Sequence, residues 1–131
     1  MAIPTDGGGS EVLKRNSIDN QSTTETKIDW ASEQTSAGNT SGTVDVPAEV
    51  IITILNIIIC NRDTDVKTFK IDINNSGSPS QVSILFDAVL PSKGTYIFSD
   101  KLVLLDNDQL LFDASHADID IYLNYIYQDW T

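Results

Sequence analysis

The chain has 131 residues, a length that a single compact domain of roughly 100–200 residues accounts for. Eight Lys and Arg against 19 Asp and Glu leave a formal net charge of −11, so the chain lacks the clustered cations that nucleic-acid binding requires. No run approaches the roughly 18 apolar residues of a membrane-spanning helix, and a single cysteine, Cys60, excludes an internal disulfide and a paired-cysteine zinc site.

In chain order, Met1 to Gly9 has neither a basic start nor an apolar core, which predicts a protein made in a cytoplasm without a secretory signal. Gly7-Gly8-Gly9-Ser10 reads as flexible, Glu11 to Ile18 as a short strand, and Thr24 to Trp30 as a second strand alternating Thr24, Thr26, Ile28 and Trp30 against Glu25, Lys27 and Asp29. Residues 31–48 are almost all small and polar, a linker composition. Residues 1–48 therefore read as an extended N-terminal arm and linker that adds at most two strands to the six of residues 49–131, which read as a β-sandwich domain.

From Val50 the pattern becomes period-two alternation broken by turns at short intervals, as in antiparallel sandwiches and barrels. Val50 to Cys60 is Ile-rich on both faces and predicts a central strand buried on both sides, ending at the turn Asn61 to Asp65. Val66 to Asn74 directs Phe69, Ile71 and Ile73 inward and Lys70 and Asp72 outward, and the Asn75 to Pro79 turn follows. Gln81 to Leu90 places Val82, Ile84, Phe86 and Ala88 on one face, Thr95 to Leu105 is kinked around Ser99-Asp100, and Gln109 to Ala114 leads to His116 and a closing strand, Asp118 to Tyr127. That last strand aims Ile119, Ile121, Leu123, Tyr125 and Tyr127 inward. The absence of a helical period and the β-branched content predict an all-β, antiparallel sandwich of seven or eight strands, immunoglobulin-like or jelly-roll.

Chemistry is sparse. Ser115 and His116 are neighbours that a regular strand would point apart, so they read as exposed turn residues rather than a nucleophile and its base. Cys60 reads as a small hydrophobe of the core. The D-x-D turns at Asp63/Asp65 and Asp106/Asp108 offer oxygen ligands but match no EF-hand loop, and Asp is also a turn former in its own right. Asp118 and Asp120 point to one face about 7 Å apart, a spacing open to a glycosidase-like carboxylate pair, but they read foremost as the solvated face of an outer strand whose like charges deter edge pairing. Tyr122 and Trp130 are left as rings for a subunit interface or, as an alternative, a sugar platform. No catalytic residue, metal site or cofactor is predicted, and the chain reads as a non-enzyme.

The run Ile54-Leu55-Asn56-Ile57-Ile58-Ile59-Cys60-Asn61, the stretch Lys101-Leu102-Val103-Leu104-Leu105-Asp106-Asn107-Asp108-Gln109-Leu110 and the ending Ala117-Asp118-Ile119-Asp120-Ile121-Tyr122-Leu123 resemble small β-sandwich virion proteins of tailed bacteriophages. The resemblance covers Val50 to Tyr127, and the opening Gly8 to Arg15 is similar to the start of such proteins. Asn107-Asp108 stands where Gly-Asp is commoner in that family. The resemblance implies a structural role in a virion, foremost as a capsid decoration protein, with a tail, neck or baseplate adaptor as the second reading and a host-glycan or receptor-binding module as the third. It implies as partners the major capsid protein or tail and neck subunits, and copies of the chain itself, a trimer being favoured. The expected contacts are Val12 and Leu13 as an added strand, Ile18, Ile28 and Trp30 as anchors of the arm, and Tyr122 and Trp130 on the sandwich.

Overall fold

The structure, a computed structural model, describes residues 10–21, 23–31, 42–75 and 81–130. They form β1 (Ser10–Gln21), β2 (Thr26–Lys27), β3 (Val50–Asn61), β4 (Lys67–Asn74), β5 (Gln81–Leu90), β6 (Thr95–Phe98), β7 (Leu102–Leu104), β8 (Gln109–Ala114) and β9 (Ile119–Asp129). One sheet has the order β1-β9-β3 with β6 and β7 both on the far side of β3, and the other has the order β2-β8-β4-β5. Every pairing is antiparallel. The fold is an all-β antiparallel sandwich.

β6 pairs with Ile57 to Cys60 and β7 with Ile52 to Ile54, so the two are one strand position interrupted at residues 99–101, where the sequence predicts a kink. Counted that way, the first sheet holds the first, eighth, third and sixth strands and the second holds the second, seventh, fourth and fifth. This interleaving is a jelly roll, and it decides between the two sandwich topologies.

The core follows from the alternation. Val50, Ile52 and Ile54 are buried, Leu55 is an extra residue in a bulge, and burial resumes in the shifted phase with Ile57 and Ile59. Ile119, Ile121, Leu123 and Tyr125 of β9 meet Phe69 and Ile71 of β4 and Leu110 and Phe112 of β8 across the sandwich in one cluster. Each such side chain stabilises the fold by about 1.5–3 kcal/mol relative to exposure. The other face of β3 is only half-buried, so the strand is not enclosed on both sides as its composition suggests.

The two strands expected in the arm are strands of the sandwich, β1 pairing with β9 from Ser10 to Ile18 and again at Gln21, and β2 with β8. The anchors expected on the arm are corrected. Ile18, Ile28 and Trp30 are core side chains of this chain, each only 1% exposed, and are not docking anchors. Trp30 packs edge-on to Tyr125 with ring centroids 5.2 Å apart and donates its indole N–H to the Val44 carbonyl at 3.1 Å. Burial of so large a ring leaves it nothing to offer a partner. Gly7 to Gly9, residues 32–41 of the linker and residues 76–80 of the turn before β5 lie outside the described residues.

β5 departs from simple alternation because its register with β4 shifts on both sides of Ile71, each time with an additional β5 residue. Asp87 takes the left-handed backbone region (φ 49°) there. The bulges separate Phe86, which turns to solvent beneath Lys70, from the face of Val82, Leu85 and Ala88, which pair with inward Ile73, Ile71 and Phe69, and Leu85 packs on the core with Ile84 and Ala88. Asp72, expected on the solvent side of β4, is buried.

Candidate interaction surface

The outer face of the β1-β9-β3 sheet is built of rows fixed by register. Leu13, Ile126, Thr53 and Val103 form one row across β1, β9, β3 and β7, and Ser17, Tyr122, Ile58 and Ile97 form another across β1, β9, β3 and β6. Leu13 is 71% exposed, Ile97 61% and Val103 58%, and Ile126, Ile58 and Tyr122 between them are half-buried. Between the two rows runs a polar one, in which Asn124 Nδ2 donates to Asn56 Oδ1 at 2.8 Å and Arg15 donates to the Tyr122 hydroxyl at 3.4 Å. An exposed sheet face with two apolar stripes is what a partner would cover.

At one end of this face lies an open groove of about 270 Å³ lined by Ile58, Cys60, Tyr122, Ser17, Asp19 and Asp120 among others. Cys60 thus stands half-buried on the outer face rather than in the core as expected, because it falls one residue past inward Ile59. Arg62, just beyond β3, gathers the rim. Its Nε is 2.8 Å from Asp120, and its terminal nitrogen is 3.7 Å from Asp118 and 3.9 Å from Asp19. β9 lies between β1 and β3, so Asp118 and Asp120 do not belong to an outer strand, and the Arg62 guanidinium, rather than repulsion alone, defines their role. Three carboxylates around one guanidinium leave the rim acidic.

The other predicted contacts are distributed differently. Val12 and Leu13 pair with Tyr127 and Ile126 of this chain's own β9, so they are not a strand added to a neighbour, though both remain exposed. Trp130 follows β9 half-buried, its backbone N–H bonded to the Glu49 carbonyl at 2.9 Å. Tyr122 lies on the outer face and lines the groove.

The two D-x-D turns sit at opposite ends of the sandwich, since β7 ends beside Ile52 at the start of β3 and Asp63 follows its end. One acid of each turn is engaged locally. Asp63 Oδ1 accepts the Thr64 and Asp65 N–H groups, Asp63 Oδ2 pairs with Lys67 Nζ at 3.0 Å, and Asp108 Oδ2 accepts the Leu105 N–H at 2.9 Å. The Lys67 ammonium above all, then the two N–H donors, pull the Asp63 carboxyl down to about 2. Among the described residues no group of three or more His, Cys, Asp or Glu is placed to hold a metal ion.

Ser115 and His116 do meet, contrary to the strand argument, because β8 has ended and the turn brings His116 Nδ1 to 3.0 Å from Ser115 Oγ. The same hydroxyl accepts the Thr68 N–H at 3.0 Å and closes the β4–β8 end, and His116 is exposed. Of the groups that make this surface the sequence singled out Leu13 and Tyr122, whereas Ile58 and Cys60 were expected inside and the register that aligns the rows was not legible. Comparison with family models, curated proteins and solved structures finds no match for this chain.

Proposed function

We propose that the protein is a structural subunit of a tailed-phage virion, foremost a capsid decoration protein, and that it attaches through the outer face of the β1-β9-β3 sheet. The observation that carries this reading is the pair of largely apolar rows, Leu13 to Val103 and Ser17 to Ile97, with Leu13, Val103 and Ile97 exposed at their ends, on a folded, strongly acidic sandwich. The resemblance of Val50 to Tyr127 to phage virion proteins supplies the kind of assembly. The jelly roll is used by viral capsid domains and also by lectins, a fold-level analogy that supports the reading without selecting it. Attachment is assigned to the sheet face and not to the arm, whose described part is spent on the sandwich's own core and ladder.

A tail, neck or baseplate position uses the same surface and remains the second reading. A glycan-binding role is disfavoured, because the two acidic turns that would share it are at opposite ends of the molecule. The test is to add purified protein to particles lacking it and locate it in a map of the reconstituted particle. Bound sandwiches facing the capsid with Tyr122 and Ile126 support the proposal, density at the tail supports the second reading, and no particle binding at all removes both.

A further inference from the structure

The two edges of the β1-β9-β3 sheet carry complementary features. One edge is β1, with Leu13 exposed and Asp19 in the acidic cluster around Arg62. The other is β6 and β7, with Ile97 and Val103 exposed and with Lys93 and Lys101 on the flanking turns. Among the described residues the exposed side chains of Lys93 and Lys101 have no ionic partner, whereas Arg62, Lys67 and Lys70 each have one. Charge and apolar surface are thus divided between the edges in a way that lets one edge receive the other.

The geometry points to a head-to-tail contact between copies of this chain, in which the β6–β7 edge of one copy packs along β1 of the next and continues the sheet. β1 runs parallel to β3, and β6 and β7 run antiparallel to it, so the new pair is antiparallel like every other in the sheet. Continuing the rows without a shift sets Leu13 beside Val103, since both are level with Thr53. The same register sets Ser17 beside Ile97 and Ile18 beside Tyr96, so Asp19, in the irregular stretch between Ile18 and Gln21, comes to the end of β6 that adjoins Lys93. Lys101 comes level with Arg15, a like-charge approach that offsets part of the gain. The break at residues 99–101 confines backbone pairing to short stretches, so side chains carry much of the contact. The occupant is a second copy because the unpartnered lysines and the acidic cluster are both on this chain. A heterologous contact of this kind yields a ring if the rotation per copy closes and an open chain if it does not.

The inference goes beyond the proposed function and does not need a virion. Sedimentation velocity of the full chain near physiological ionic strength tests it. Wild type is expected to associate as concentration rises. Lys93→Glu and Asp19→Lys, both at exposed positions, are each expected to weaken association about tenfold by turning attraction into repulsion. The double variant Lys93→Glu/Asp19→Lys is expected to regain most of the loss, because the charges are exchanged across the contact, and Lys101→Glu to tighten it. A wild type that stays monomeric at the highest workable concentration overturns the inference, as does an oligomer that both single variants leave unchanged or that the double variant fails to restore. Self-association without particle binding removes only the function proposed above, and particle binding by a strictly monomeric chain removes only this contact.

Discussion

Trp30 and Tyr125 show how single residues hold the two sheets together. Asn16, fully buried on β1, donates its amide to the Tyr125 hydroxyl at 3.1 Å, so the tyrosine closes the core against Trp30 with its ring and satisfies a buried amide with its oxygen. Trp30→Ala should lower unfolding free energy by about 3–5 kcal/mol through the cavity it leaves. Tyr125→Phe keeps the packing and removes one acceptor, which should cost about 1–3 kcal/mol. Denaturant titration of the two variants against wild type measures both, and equal losses would contradict this division of labour. Asp63 gives a pH dependence. Its carboxyl ordinarily titrates at 3.8 and in the fold at about 2, so its contribution is fully present above the ordinary value and is lost as pH falls through the folded one. The melting-temperature difference between wild type and Asp63→Asn should therefore be constant near neutrality and shrink between about pH 4 and pH 2.

Among the elements, β1 matters most for what the N-terminal segment does. Removing residues 1–30 deletes β1 and β2, strips β9 of one ladder partner and takes Ile18, Ile28 and Trp30 out of the core. Since a domain's whole stability is only about 5–15 kcal/mol, the truncated chain should lose its cooperative melt and its β-sheet circular dichroism. A truncated chain that still melts cooperatively would show that β1 is dispensable. β3, β4, β5, β8, β9 and the kink between β6 and β7 were readable because buried β-branched residues and turn residues alternate strongly there. β1 was readable as a strand but not as a member of this sheet, because an edge strand needs few inward apolar residues and polar Asn16 occupies one of its inward positions. Bulges hid the rest. An extra residue in β3 or β5 reverses which face a side chain takes, which is why Phe86 was misplaced, and no composition signal marks where the insertion falls. Cys60 was misplaced because an apolar run does not reveal that one face of β3 is left open.

At the scale of the whole molecule, stability rests on the core and the ladders. Asp63 and Asp108 are taken up by backbone N–H groups and Lys67, and among the described residues no three acids gather round one point, so neither a chelator nor millimolar calcium should move the melting temperature. A rise with calcium would reveal a site, because a ligand that binds only the native state must stabilise it. The pairing of β1 with β9 sets Ser10 opposite Asp129, joining the first described strand to the last, and β9 also separates β1 from β3. During synthesis, then, β1 and β3 emerge early with no strand to bridge them, and that sheet can close only after residue 119 and those beyond it have left the ribosome. The Ile-rich β3 must spend that interval exposed or held by a chaperone, which makes the nascent chain most prone to aggregate in the interval before β9 emerges.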